Sequence, residues 1–172
     1  MEITLRLLDE SVSEKLFKFE LENKSFFEKV GLSRGENYYD FNNFKTMMKE
    51  IIVEQERDLL YMYLIENSCG NIVGRVNLVS VIRGNLNKAE IGYRIGEQYQ
   101  GRGYATSAVK LVLEKELNQH KLHRVEAGTA TDNMGSQIVL IKNGFQFVGR
   151  YNQYIHQNGR WHDSLSFEKI LD

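Results

Sequence analysis

The chain has 172 residues and a formal net charge of −1 at pH 7. This length suits one sizeable core, so we expect residues 1–172 to form a single domain, and the 42% hydrophobic and 26% charged fractions are typical of a globular protein. The near-neutral charge gives no basis for expecting nucleic acid or an anionic membrane as a partner.

A single cysteine, Cys69, makes an intramolecular disulfide impossible and fits a reducing compartment. The opening residues, MEITLRLLDE, lack the basic region and apolar run of a signal peptide. No apolar stretch approaches the roughly 20 residues that a membrane-spanning helix needs. We therefore expect a cytoplasmic protein with no membrane partner.

The N-terminal third predicts one strand and two helices. Alternating residues in EITLRLL indicate a strand, and residues 13–27 have helical spacing with Ser13 in the position of an N-cap. After the polar, aromatic loop GLSRGENYYDF, residues 42–56 predict a second helix, because apolar side chains recur there at helical spacing. Those side chains are Phe44, Met47, Met48, Ile51 and Ile52.

The rest of the chain alternates strands and helices. LLYMYLIE and IVGRVNLVSVI predict a hairpin around NSCGN, and AEIGYRI predicts the next strand. A glycine loop and a helix follow in EQYQGRGYATSAVKLVLEKEL, then a strand in HRVEAGTA and a short helix closed by Gly144. Asn158-Gly159 predicts a final hairpin. This mixed order favours an α/β or α+β sheet with helices on its faces.

The glycine loop predicts an anion site. Gly101 and Gly103 flank Arg102 directly before a helix, where free backbone N–H groups and the helix dipole favour negative charge. The lysine of a P-loop is missing, and Thr106 stands where a dinucleotide fingerprint needs Gly or Ala. A tight turn without a ligand is the alternative.

The neighbouring residues distinguish these two readings. Gln98, Gly101 and Gly103, followed by Tyr104 and Ala105, resemble the Q/R-x-x-G-x-G/A signature of the GNAT acyltransferase superfamily. TDNMGSQIVLIKNGF resembles the N-x-x-S…K-x-G-F stretch of its ribosomal-protein N-terminal (alanine/serine) acetyltransferase branch, and NGRWHDSLSF resembles the closing strand of that branch. The resemblance covers residues 60–170 well and the N-terminal third only in layout.

This resemblance implies a GNAT-like, mixed and mostly antiparallel central sheet with helices on both faces. It implies acetyl-CoA as co-substrate, with its pyrophosphate on the glycine loop and its pantetheine arm beside the strand AEIGYRI, and no metal. The cofactor-binding residues that it implies are Tyr93, Arg94, Ile95, Gln98, Gly101, Arg102, Gly103, Tyr104, Ala105, Thr106, Asn133 and Lys142.

Two residues are candidates for the chemistry of acyl transfer. Glu90 shares a strand face with Gly92 and Arg94, and the gap at Gly92 suits a substrate amine, so Glu90 is the candidate base. Its alternative role is a salt bridge to a neighbour such as Arg94.

Ser136 is the candidate acid by resemblance, and its alternative role is helix capping. Asn133 either hydrogen-bonds the pantetheine arm or caps the same helix, and the two roles are compatible. Leu140 occupies the position at which polyamine-acetylating relatives carry a tyrosine acid.

Aromatic and histidine residues elsewhere leave their roles open. Tyr38, Tyr39 and Phe41 form either a lid over the acceptor or a hydrophobic latch onto the core. His156 and His162 flank the final hairpin and either line the acceptor cleft or coat an exposed ribbon, which we favour. No set of ligands accompanies the histidines, so we expect no metal site.

The predicted function is transfer of an acetyl group from acetyl-CoA to a primary amine, by direct attack in a ternary complex. The expected acceptor is the N-terminal α-amine of a protein. The alternatives are a small amine, such as a polyamine, amino acid or aminoglycoside, and a non-catalytic acyl-CoA-binding module. We expect a monomer or a homodimer.

Overall fold

The computed structural model describes residues 2–31 and 33–171, without the side chain of residue 117. Short 3-10 turns and a π turn at Glu116–His120 join the main elements. In chain order these elements are β1 (Ile3–Leu7), α1 (Ser13–Glu22), α2 (Lys24–Val30), α3 (Phe41–Glu56), β2 (Tyr61–Asn67), β3 (Ile72–Ile82), β4 (Lys88–Ile95), α4 (Tyr104–Lys115), β5 (Arg124–Ala130), α5 (Met134–Lys142), β6 (Gln146–Gln157) and β7 (Arg160–Ile170).

The strands form a seven-stranded sheet in the order β1-β2-β3-β4-β5-β7-β6. β1 is antiparallel to β2, and β7 is antiparallel to both β5 and β6. β4 and β5 are parallel, and α4 provides the crossover that a parallel pair requires. The predicted mixed, mostly antiparallel sheet is confirmed. No helix within the described ranges is both long and apolar enough to cross a membrane.

The chain divides into two compact units. The first contains the residues up to Asn77 together with Tyr93–Tyr104, and the second contains Leu78–Gly92 and the residues from Ala105 onward. The apolar faces of α1, α2 and α3 and the first strands form the core of the first unit. Its buried members are Leu8, Val12, Leu16, Phe19, Phe27, Tyr38, Phe44, Met48, Met62, Leu64 and Ile72.

The helix predicted over residues 13–27 is two helices. Asn23 ends α1 and begins α2, and its Nδ2 and backbone N–H groups both donate to Phe19 O. The prediction of Ser13 as N-cap was wrong, because Val12 occupies that position and the Asp9 side chain caps the preceding 3-10 turn. Several residues of types that cap helices, Asp9, Ser11 and Ser13, lie near the start of α1, so the sequence alone could not show which of them is the cap.

The second unit confirms two local predictions. Asn158 and Gly159 both have positive φ, at 51° and 73°, as a two-residue hairpin turn between paired strands requires. Gly144 follows α5 with φ of 78°, the left-handed conformation of a helix C-terminus. The core of this unit includes Ala108, Val109, Val112, Leu113, Leu122, Val125, Ala127, Leu140, Phe145 and Phe167.

Candidate active site

The glycine loop lies between the end of β4 and the start of α4. Gly101 and Gly103 have φ of +70° and +81°, in the left-handed region that side chains with a Cβ rarely adopt. Nothing lies within 4 Å of an ideal Cβ built on Gly101, so its surroundings are open. The loop therefore combines glycine-only backbone geometry with free space beside it, as close approach of a ligand requires.

Contacts within the first unit fix the start of this loop. Asn23 Oδ1 accepts a hydrogen bond from Glu97 N at 2.9 Å, and Gly96 N donates to Val73 O at 2.9 Å. Gln100 Nε2 donates to Ile95 O at 2.6 Å. A Cβ on Gly96 would lie 3.0 Å from the Phe19 ring and 3.1 Å from Asn23 Oδ1, so a larger residue there would press against both side chains. α1 and β3 thus hold the loop in place.

The loop exposes its polar side chains at the helix N-terminus. Gln98 and Arg102 are exposed, whereas Tyr104 is buried and meets Tyr99 edge-on, with ring centroids 5.8 Å apart. The first turn of an α-helix carries N–H groups without intrahelical acceptors. One cationic and one amide side chain therefore stand beside a helix terminus that attracts anions.

α4 and α5 are joined within the second unit by an interaction that the sequence did not suggest. Asn143 Nδ2 donates to Thr106 O at 3.2 Å and to Val139 O at 2.9 Å. Asn143 is buried, and its own backbone oxygen accepts from Lys169 Nζ at 2.7 Å. This amide positions the first turn of α4, which also contains the half-buried Ala105.

Asn133 rather than Ser136 caps α5. Asn133 Oδ1 accepts from the Ser136 backbone N–H at 3.0 Å, which is the N-cap geometry. Ser136 is half-buried in the first helical turn, and Lys142 is exposed in the last. The helix-capping role that the sequence suggested for Asn133 is therefore confirmed.

The parallel pairing of β4 with β5 ends at Glu90. The register runs from Lys88 opposite Arg124 to Glu90 opposite Glu126, although both strands continue further. Glu90 is exposed. A carboxylate thus lies where the register between the two strands stops.

Glu126 differs from Glu90 because it is held in ion pairs. Its carboxylate accepts from Lys88 Nζ at 2.7 Å and from Arg124 Nε at 2.8 Å. Burial disfavours its ionised form, but these hydrogen bonds outweigh burial and hold the pKa of Glu126 below its usual value. Glu126 is therefore a structural carboxylate.

Arg94 directs its side chain away from a cofactor role. Its Nη1 lies 3.0 Å from Glu20 Oε2, and its guanidinium stacks over the Phe27 ring at 4.5 Å. The salt bridge to Arg94 that was the alternative role of Glu90 is thus absent among the described residues, because Arg94 pairs with Glu20. The cofactor contact that the family resemblance implies for Arg94, like those for Tyr93 and Ile95 in β4, involves the backbone and stays a prediction.

The aromatic residues Tyr38, Tyr39 and Phe41, which lie just before and at the start of α3, behave mainly as a latch. Tyr38 is 6% exposed and meets the Phe44 ring edge-on at 5.2 Å, and Tyr39 packs edge-on against Tyr38. Phe41 is 37% exposed and contacts Phe17. Burial of Tyr38 in the core favours the latch over a movable lid.

The histidines of the final hairpin lie on an exposed ribbon. His156 packs on Trp161 with ring centroids 5.1 Å apart, and both side chains are exposed, as is His162. In the part of the chain that the structure describes, no group of three His, Cys, Asp or Glu side chains is arranged to hold a metal. Leu140 is fully buried in α5.

Comparison with known proteins identifies the family. The model of the acetyltransferase (GNAT) domain matches residues 3–146. The chain belongs to the GNAT acetyltransferase family. It is 34% identical over 162 residues to the probable N-acetyltransferase YjcK of Bacillus subtilis, covering 94% of this chain and 90% of that protein. The predicted family and enzyme class are confirmed.

Solved GNAT structures share the whole fold. Ribosomal-protein-S5-alanine acetyltransferase from Vibrio fischeri superposes with a TM-score of 0.94 at 22% identity, covering 100% of this chain and 94% of that chain. Mycobacterium smegmatis RimJ, solved in complex with CoA-disulfide, superposes with a TM-score of 0.90 at 24% identity, covering 98% and 81%. At these identities the likeness establishes the GNAT fold.

Proposed function

We propose that the protein transfers an acetyl group from acetyl-CoA to the N-terminal α-amine of a protein, by direct attack in a ternary complex. The observation that carries this proposal is the anchored glycine loop at the start of α4, with Gly101 and Gly103 at positive φ and open space beside Gly101. The relationship of this protein to ribosomal-protein N-acetyltransferases supports the choice of acceptor. The CoA-disulfide in the RimJ structure supports the choice of donor.

The glycine loop fits the pyrophosphate of acetyl-CoA. Backbone N–H groups at the α4 terminus would donate to the phosphate oxygens, and the exposed Arg102 and Gln98 would add side-chain contacts. The β4 backbone at Tyr93, Arg94 and Ile95 would hold the pantetheine arm. Tyr104, Ala105, Thr106, Asn133 and Lys142 complete the proposed cofactor set.

Acetyl-CoA supplies a thioester carbonyl that an uncharged amine can attack. Glu90, which is exposed and outside the ion pairs of Glu126, would accept the proton of the amine directly or through water. A β4 backbone N–H would stabilise the oxyanion. Ser136, at the dipole-positive end of α5, would donate a proton or a hydrogen bond to the departing thiolate.

We also propose that residues 1–172 work as one acetyltransferase domain in the cytoplasm. The family model spans most of the chain and includes parts of both compact units. The chain as a whole is accordingly the unit to be tested.

The test is an assay of CoA release from acetyl-CoA with a panel of amines. The panel contains peptides with a free N-terminal alanine or serine, the same peptides with a blocked N-terminus, spermidine, free amino acids and an aminoglycoside. We expect CoA release with the free peptides and none with the blocked ones. Release with spermidine or another small amine alone would favour the alternative acceptor class, and acetyl-CoA binding without release would favour a binding module.

A further inference from the structure

A buried carboxylate on α1 is surrounded by arginines of the first unit. Glu20 is 0% exposed, with Oε1 3.1 Å from Arg75 Nε and Oε2 3.0 Å from Arg94 Nη1. Oε2 accepts a hydrogen bond from Arg94, whereas Oε1 has only the ion-pair contact with Arg75 and no hydrogen-bond partner among the described residues, so a single negative charge faces two positive charges.

Arg34 adds a third guanidinium to this arginine cluster of Arg34, Arg75, Arg94 and Glu20. Its Cζ lies 5.7 Å from the centroid of the Tyr38 ring, and it takes part in none of the ion pairs among residues 2–31 and 33–171. Partial desolvation of the guanidinium groups, followed by repulsion from Arg75, lowers the pKa of Arg34, although the residue as a whole is exposed, and lowers that of Arg94 to about 10. The cluster therefore carries uncompensated positive charge.

Two tyrosine hydroxyls beside the cluster lack hydrogen-bond partners within the described chain. Tyr38 is 6% exposed and its OH is buried without a partner, as is the OH of Tyr39. A buried hydroxyl is normally satisfied, because leaving it unpaired is destabilising. Burial raises the pKa of Tyr38, so its hydroxyl stays protonated and is available as a donor.

The arginine cluster has a buried floor and an open side. Arg75 and Glu20 form the floor, with side chains 4% and 0% exposed. Arg94 has 17% side-chain exposure, and Arg34 is an exposed residue. Arg34 and the partly exposed Arg94 are therefore the guanidinium groups that an anion can contact from solvent.

The same elements hold the glycine loop. Asn23, which follows Glu20 by one helical turn on α1, accepts the hydrogen bond from Glu97 N. Arg94 lies on β4 just before Gly96, whose N–H donates to Val73 O. The arginine cluster thus belongs to the framework that presents the proposed acetyl-CoA loop.

We propose that the arginine cluster binds a carboxylate of the acceptor, so that acidic acceptors are preferred substrates; this rests on the acetyltransferase function proposed above. A guanidinium fork matches the geometry of a carboxylate, and the ion pairs of Glu20 with Arg75 and Arg94 show that this part of the first unit accommodates one. We assign Arg34 and the Tyr38 hydroxyl as the hydrogen-bond donors for a second carboxylate, that of the acceptor. That carboxylate comes either from an acidic side chain of a peptide or from the α-carboxylate of an amino acid.

The kinetic test compares matched acceptors. Amidated peptides with a free N-terminal alanine carry Glu or Gln at the second, third or fourth position, and free amino acids are compared with their amides. We expect one acidic member to exceed its neutral partner in kcat/KM by about 10-fold or more. If the preferred acceptor is a Glu-containing peptide, the carboxylate is that of an acidic side chain. If it is a free amino acid, the carboxylate is the α-carboxylate.

Substitutions test whether the preference for acidic over neutral acceptors depends on the arginine cluster. Arg34→Gln is expected to bring the acidic-to-neutral ratio close to one, and Tyr38→Phe to lower it severalfold, because each removes a donor. Arg57→Gln, an exposed arginine of the same unit at the end of α3, is the matched control and should keep the wild-type ratio. A ratio of one in the wild-type protein, or a ratio unchanged by Arg34→Gln, would overturn the proposal.

A binding measurement separates this proposal from the proposed function. N-acetyl-glutamate and N-acetyl-glutamine are titrated into wild type and Arg34→Gln by calorimetry. Acid binding that Arg34→Gln abolishes supports the site even if no amine is acetylated, in which case only the proposed function fails. Acetylation of peptides with no selective acid binding overturns the site alone. Tighter binding of inorganic phosphate than of N-acetyl-glutamate would overturn the assignment to a carboxylate.

Discussion

Asn133 Oδ1 accepts a hydrogen bond from the Ser136 backbone N–H at 3.0 Å, which makes Asn133 the N-cap of α5. The stability of this helix terminus therefore depends on Asn133, while the Ser136 side chain is the one proposed to assist the departing thiolate. The two roles fall on different residues and can be measured separately.

Ser136→Ala is expected to lower kcat by about 10-fold to 10³-fold, because a thiolate with a reference thiol pKa of about 8.5 benefits from a donor without depending on one. A thermal melt reports any structural contribution of the Ser136 side chain separately from its contribution to kcat. Asn133→Ala should instead cost about 1 kcal/mol of stability. Thermal melts and single-turnover kinetics on both variants provide the check, and wild-type turnover by Ser136→Ala would assign thiolate protonation to water or another group.

Gly101→Val is expected to weaken acetyl-CoA binding by about 2–4 kcal/mol, because Val disfavours a φ of +70° and fills the open space beside the loop. Gly84→Val is the matched control, since Gly84 has a φ of +73° and equally open surroundings in the turn between β3 and β4. Calorimetry should show weakened binding only for Gly101→Val. Equal affinities in the two folded variants would exclude the glycine loop as the site.

Asn23→Ala is expected to cost about 1–3 kcal/mol of stability and to weaken acetyl-CoA binding as well, because it removes the acceptor for Glu97 N at the start of the loop. Asn118→Ala is the control, since Asn118 is exposed and its side chain donates to a carbonyl within its own helical segment. Denaturant unfolding and calorimetry report the two effects. A destabilised Asn23→Ala variant with wild-type affinity would show that the loop keeps its form without this anchor.

Glu90→Gln keeps the shape of the side chain and removes its basicity. It is expected to lower kcat by about 10²–10⁴-fold, with a smaller loss at high pH, where uncharged amine is abundant. Glu114→Gln, at an exposed position on α4, should behave as wild type. The pH dependence of kcat is the measurement, and an unchanged profile for Glu90→Gln would leave Glu90 without a catalytic role.

Glu126 should make stability depend on pH in the acid range. Its folded-state pKa lies below the ordinary value of 4.5, so the unfolded chain binds more protons there and stability rises with pH. This contribution is complete above the unfolded-state pKa and is lost as the pH falls through the folded-state pKa. Urea unfolding at a series of acid pH values should show a flatter dependence for Glu126→Gln than for Glu114→Gln, and equal slopes would contradict it.

Local signals explain what could be predicted from the sequence. The positive φ of Gly101, Gly103 and Asn158-Gly159 follows from residue chemistry that acts within a few positions, and the α3 pattern follows from helical periodicity. The sheet was predicted differently, because its mixed, mostly antiparallel character was inferred from the resemblance to the GNAT family. Each of the local signals depends on neighbours in the chain, which a sequence displays directly.

Long-range polar pairs explain what could not be predicted. Asn23 and Glu97, like Glu20 and Arg94, are 74 positions apart, and no spacing rule links them. For the same reason the sequence suggested Glu90, its neighbour on the strand, as the alternative partner of Arg94, and not Glu20. Near α5, several residue types able to cap lie within one turn, so only the observed hydrogen bond distinguishes Asn133 from Ser136.

The most direct measurement is the position of the acetyl group after incubation of acetyl-CoA with a peptide that has a free N-terminal alanine and an internal lysine. Mass spectrometry of fragments locates the modification while CoA release is followed in parallel. We expect one acetyl group on the α-amine, with an equal amount of CoA released. Acetylation of the lysine side chain alone, or no CoA release by a protein that binds acetyl-CoA, would contradict the proposed N-terminal acetyltransferase.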